Sequence, residues 1–206
     1  KMNKLLKDRG ISCLIHQPSY SMINRWVEKD LLSTLKKLGI GCIAFSPLAQ
    51  GMLSGKYLRN IPKVSRISDN SSLDKKMITK SYLFKINELT KIANRRGQSL
   101  PQMALSWILR HPTMTSALIG ARTVNQLDEC LDSQNNLTFS NSELKEIDKY
   151  TDKYTDKKKI NNISFKEYNY IHEIINPCEL NNLFSEFILN DKFKALIVLL
   201  SLSESF

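Results

Sequence analysis

The chain has 206 residues, of which 42% are hydrophobic and 24% charged. This is the length and balance of a globular protein with one or two domains and enough chain for a buried core, and it excludes disordered, collagen-like and disulfide-stapled chains. The longest apolar run, Ala195–Leu200, falls far short of the roughly 18–20 residues that cross a bilayer. No membrane association is therefore expected, and Lys1–Gly10 shows no secretory leader pattern.

The formal net charge of +10 is unevenly spread. Residues 1–110 hold 20 Lys and Arg against 6 Asp and Glu, whereas residues 111–206 hold 10 against 14. Such asymmetry suits an anionic partner. The lysines are scattered, with no basic run of five and no RNA-binding motif, so the expected anion is a local phosphate rather than nucleic acid. Cys13, Cys42, Cys130 and Cys178 are too widely spaced for a zinc site or a disulfide framework, which predicts idle thiols in a cytoplasmic protein.

In chain order, Ile11–His16 reads as a short strand buried on both faces. Glu28, Leu31, Leu32, Leu35 and Leu38 then recur at helical spacing, closed by Gly39 as a left-handed C-cap. A second strand follows at Ile40–Phe45. The interval of about 30 residues between the two strands is that of a βαβ unit, so the pair is predicted to be parallel. A long polar connection covers Ala49–Lys75. A helix is expected through Ile78, Tyr82, Leu83, Ile86, Leu89 and Ile92, stopping at Gly97. Ser99–Gln102 is a capping box that opens a further helix. Ser116–Gly120 is predicted as a third strand, followed by helices that begin at the capping boxes Thr123–Gln126 and Ser140–Glu143. Three parallel strands, each followed by a helix, argue for an α/β fold too short to close, with unpaired edges. From Lys157 the texture turns Lys/Asn/Ile-rich. Residues 157–206 are therefore expected to form an appended segment, helical or poorly ordered, ending in an apolar stretch prone to aggregate if exposed.

The candidate chemistry lies at the carboxyl ends of these strands, where α/β proteins bind ligands. Gln17 closes the first strand, and its amide can both donate to and accept from another primary amide. The second strand runs into Phe45-Ser-Pro-Leu-Ala-Gln-Gly-Met-Leu-Ser-Gly-Lys-Tyr57. In it Gly51 and Gly55 permit close backbone approach to a phosphate, Ser46 and Ser54 offer hydroxyls and Lys56 supplies charge. The segment is neither a Walker A loop nor a G-x-G-x-x-G turn. Arg66 lies further along the same connection. Gly120-Ala-Arg-Thr-Val-Asn-Gln126 joins the third strand to a helix N-terminus, where Arg122 and the free N–H groups favour an anion such as a ribose 2′-phosphate.

Three blocks of this sequence, His16–Trp26, Gly39–Tyr57 and Ala104–Ala121, resemble the C-terminal half of the aldo-keto reductase family, in the branch of bacterial L-glyceraldehyde 3-phosphate reductases and potassium-channel β-subunits. The resemblance covers about residues 1–150. It implies a partial (β/α)8 TIM barrel over residues 1–156, with the three strands as barrel strands six to eight, binding NADPH without a Rossmann fold. It also implies that Gln17 contacts the nicotinamide amide and that Phe45 stands beside the ring. Ser46, Pro47, Leu48, Ala49 and Gln50 would follow the cofactor backbone, with Lys56 and Arg66 on the loop that folds over it. Gly120, Arg122 and Gln126 would meet the 2′-phosphate end, and Glu129 the adenosine. Arg122 stands where the family usually has Ser, and Cys130 where it has Asn. The family's catalytic Asp, Tyr, Lys and His belong to the other half of the barrel, and Tyr20, Tyr57 and His16 are not expected to replace them. No residue of this chain is assigned a catalytic role. The implied function is NADPH-dependent reduction of small aldehydes such as L-glyceraldehyde 3-phosphate or methylglyoxal, with this chain as the cofactor-binding half. The alternative is a truncated, non-catalytic product or an NADP(H)-sensing module. The implied partners are a small aldehyde and either a second copy or a missing N-terminal half.

Overall fold

The computed structural model describes residues 2–58, 75–121, 123–151 and 195–200. Four strands form one parallel sheet in chain order: β1 (Ile15–His16), β2 (Gly41–Ala44), β3 (Met114–Ala121) and β4 (Ala195–Leu200). Among the described residues six α-helices accompany them: α1 (Met2–Lys7), α2 (Leu31–Leu38), α3 (Lys80–Arg95), α4 (Leu100–Leu109), α5 (Val124–Leu131) and α6 (Asn141–Asp148). The expected α/β alternation is present, as an open parallel sheet.

Local sequence sets the helix ends. Gly39 takes φ +67°, and the next residue, Ile40, donates its N–H to Leu35 O at 3.0 Å, so the last carbonyls of α2 are satisfied as β2 begins. Ser99 and Ser140 form reciprocal capping boxes with Gln102 and Glu143 at the starts of α4 and α6. Helix α4 is apolar nearly all round and is buried from Leu100 to Leu109 apart from Gln102. It contributes Met103 and Trp107 to the main core cluster, which also holds Leu32 and Leu35 of α2, Cys42 and Ala44 of β2, and Ile86 and Leu89 of α3. Burial pushes the Cys42 thiol up to about 12, and burial followed by the charge of Glu129 pushes Cys130 up to about 11, which keeps both thiols protonated and inert.

The first strand is shorter than Ile11–His16 and is not buried on both faces. Its partner β2 begins at Gly41, opposite Ile15, so residues before Leu14 have no strand to pair with. Ile11 and Leu14 are 52% and 59% exposed. Between β2 and β3 the register skips Thr115, whose hydroxyl accepts the Cys42 N–H at 3.1 Å. A Cβ on Gly41 would lie 2.8 Å from that same hydroxyl, so this close approach requires glycine.

The edge of the third predicted strand is not open, because β4 pairs along it. The apolar stretch at the end of the chain thus joins the sheet, and Ala195–Leu200 is strand where the appended segment was expected to be helical or unstructured. The remainder of 157–206 lies outside the described residues.

Candidate functional site

Because β1, β2 and β3 are parallel, the segments that follow them open on one rim of the sheet. Gln17, directly after β1, is exposed there. Pairing continues past it: the Phe45 N–H donates to Pro18 O at 3.0 Å, and the Tyr20 N–H donates to Phe45 O at 3.3 Å. The segment carrying Gln17 is thereby locked in register with the one carrying Phe45, which is half-buried.

After Phe45 the backbone folds tightly on itself. Ser46, Ala49 and Gln50 have φ of +52°, +48° and +57°, and among the described residues no other side-chain-bearing residue has positive φ. This conformation costs roughly 1–2 kcal/mol per residue and persists only where the surroundings impose it, as they do at ligand clamps. The imposing bonds are Ala49 N–H to Ser46 O at 2.9 Å, Gly51 N–H and Leu53 N–H to Leu48 O at 2.9 and 3.1 Å, and Ser54 Oγ to Gly51 O at 2.6 Å. Pro47 is buried, and Leu48 packs on a second apolar cluster formed by Leu105 and Leu109 of α4, Ala117 and Ile119 of β3 and Cys130 of α5. Leu48 thus joins the turn after β2 to the strand and helix on either side of the turn after β3.

Lys56 is exposed, and its Nζ lies 5.0 Å from the centroid of the Tyr57 ring. A Cβ on Gly51, which has φ +90°, would lie 2.9 Å from that Nζ. The bare backbone of Gly51 is therefore the cradle in which the ammonium rests. The buried Tyr57 hydroxyl beside it has no hydrogen-bond partner among the described residues. Across the rim, Gly120 is exposed at the end of β3, and Thr123 caps α5 by accepting the Gln126 N–H at 3.3 Å. Gln126 is exposed and Glu129 half-buried on α5. Arg66 and Arg122 lie outside the described residues. A turn of left-handed residues thus follows β2 and a capped helix N-terminus follows β3, with Leu48 packed against the cluster between them.

Two polar residues here went unassigned in the sequence. Ser19 pairs with Phe45, its hydroxyl accepts from Asn24 Nδ2 at 3.1 Å, and its carbonyl accepts from Trp26 Nε1 at 3.0 Å. The buried Asn24 Oδ1 has no partner among the described residues. The signal was their place in the His16–Trp26 block. Tyr20, by contrast, is fully buried and donates to Glu28 at 2.8 Å, with burial holding its phenol far above the ordinary value. Cys130 faces the core rather than the rim. No cluster of metal-ligating side chains occurs among the described residues, and none of their helices is long and apolar enough to cross a membrane.

Comparison with known proteins matches residues 1–152 to the aldo/keto reductase family. The chain is 50% identical over 155 residues to L-glyceraldehyde 3-phosphate reductase of Escherichia coli K12, covering 73% of this chain and 45% of that protein. It is 36% identical over 120 residues to a probable voltage-gated potassium channel β-subunit of rice, covering 56% of this chain and 37% of the relative. An uncharacterized oxidoreductase of Bacillus subtilis, YrpG, is 31% identical over 125 residues, with coverage of 61% and 36%. The chain spans less than half the length of each of these relatives. With a family match over some three quarters of its length, this chain belongs to the aldo/keto reductase family.

Proposed function

We propose that this chain is the cofactor-binding part of an NADPH-dependent reductase of small aldehydes such as L-glyceraldehyde 3-phosphate or methylglyoxal. The observation that carries this reading is the concentration of left-handed, side-chain-bearing backbone at Ser46, Ala49 and Gln50, beside a lysine cradled on Gly51. NADPH, when bound, supplies the hydride. The residues of this chain bind and orient it: the Gln17 amide meets the carboxamide and Phe45 flanks the ring. The Ser46–Gln50 turn, with Pro47 and Leu48 holding it from beneath, follows the pyrophosphate. Lys56 and Arg66 supply positive charge over it, Gly120, Arg122 and Gln126 meet the 2′-phosphate, and Glu129 approaches the adenosine. No residue of this chain is assigned proton donation to the aldehyde oxygen, and Tyr20 is engaged with Glu28 in the core.

Titration of the purified chain with NADPH, followed by fluorescence, tests the reading. Saturable binding without aldehyde turnover, preference for NADPH over NADH and severalfold weaker binding in Lys56→Ala are expected. Absence of binding refutes the cofactor assignment, and turnover by the isolated chain refutes its role as the non-catalytic half.

A further inference from the structure

β4 lies beyond residue 152, where the family match ends, yet it forms the longest unbroken ladder in the sheet. Ala195 pairs with Ser116, and the register runs without a shift to Leu200 opposite Ala121. On the other side of β3 the ladder with β2 stops early, at Ala44 opposite Ala117. Residues 118–121 of β3 are therefore held in the sheet by β4 alone among the described strands. Those residues end in Gly120 and Ala121, from which the chain turns into the cap of α5. Ile119 is anchored by packing against the cluster that includes Leu48, but Gly120 has no side chain to anchor it. A strand end without a hydrogen-bonded neighbour frays, and its unpaired N–H and C=O groups invite pairing with another chain.

We propose that β4 is an intramolecular strap that seals the outer edge of β3 and positions the Gly120–Ala121 rim for the anionic end of the ligand. The positioning role rests on the reading given under Proposed function, whereas the sealing role does not. Through it the C-terminal extension acquires a function in a site made otherwise from the family domain. The pairing also engages the backbone of the uncharged run Ala195–Leu200, which as a free segment would be an aggregation hazard.

Residue-resolved amide hydrogen exchange on the full chain, without nucleotide, decides the strap. Those amides of residues 118–121 that point towards β4, alternate ones along the strand, are expected to be protected like the paired amides of Ser116 and Ala117, and exchange of these at the rate of a frayed end overturns the proposal without any variant. In Val198→Pro, exchange at 118–121 should accelerate at least tenfold while α4 stays protected, and NADPH binding should weaken severalfold. Val198→Thr, which keeps a β-branched residue and the N–H, should preserve both properties. Lost protection with unchanged NADPH affinity overturns the positioning role. Failure of the unaltered chain to bind NADPH overturns the cofactor reading and the positioning role with it, while the exchange pattern still decides whether β4 seals the edge.

Discussion

Gly51 has a φ of +90°, which L side chains rarely adopt, and a Cβ there would meet the Lys56 ammonium, the movable end of a flexible side chain, at 2.9 Å. Gly51→Ala should therefore cost about 1–2 kcal/mol in urea unfolding and displace Lys56, weakening NADPH binding more than Lys56→Arg does. An alanine variant with unchanged stability and affinity would show that the cradle is not used. Arg25 sets a different constraint. Its nearly buried guanidinium meets both carboxylate oxygens of Glu28 at 2.8–2.9 Å, Asp148 at 2.6 Å and the Thr151 hydroxyl at 2.9 Å, and stacks 4.8 Å from the centroid of Trp107. These bonds tie the segment after β1 to the end of α6. Arg25→Ala strands Glu28 beside the Tyr20 hydroxyl and should cost about 3–5 kcal/mol in chemical denaturation. Arg25→Lys should recover only part of that, because an ammonium cannot present the planar fork. The sequence carried Gly51 openly, since glycines in a turn after a strand announce their conformation. It did not carry the left-handed backbone of Ser46, Ala49 and Gln50, residues with no local preference for it, nor the link from Arg25 to a residue 123 positions away.

Among the elements, those closed by local signals were the legible ones. Gly39, Ser99 and Ser140 lie within four residues of the groups they cap, and the helices they bound stand where their spacing put them. Strand limits depend on what lies opposite, which explains why β1 is two residues long although an apolar run precedes it. The same argument hid β4, whose partner is 74 or more positions earlier in the chain. The start of α6 carries a pH dependence. Burial raises the Glu143 carboxyl, but the Ser140 N–H at 2.7 Å and Arg96 at 2.6 Å outweigh it and hold the carboxyl below its ordinary value. A carboxylate with a depressed folded pKa stabilises fully above its unfolded value, near 4.3, and loses that contribution as the pH falls through the folded one. Glu143→Gln, which keeps a cap acceptor without the charge, should be less stable at pH 7 and should lose less of its stability on acidification below pH 4. Parallel pH curves for the two proteins would contradict the ion pair's share.

For the whole molecule, sheet edges decide the solution behaviour. β4 covers one edge, while among the described strands nothing lies beyond β1. Leu14, immediately before β1, is 59% exposed. Concentration-dependent association is expected in sedimentation, and Leu14→Lys should shift it towards monomer by placing a charge at that edge. A monodisperse monomer that melts cooperatively at every concentration would refute this. The parallel alternation that makes the family domain was readable from periodicity, because each βαβ unit is nearly self-contained. The closure of its far edge was not, because that edge is covered from a part of the sequence with a different texture.

The position of β4 bears on how any complementary half would assemble. In a closed eight-strand barrel the last strand neighbours the first, and with β3 as the eighth strand of the resemblance, β4 occupies the first strand's place. Under the function proposed above, joining with an N-terminal half would be an exchange reaction rather than simple docking. Its rate should level off at high concentrations of the incoming half, at a ceiling set by how often β4 lets go.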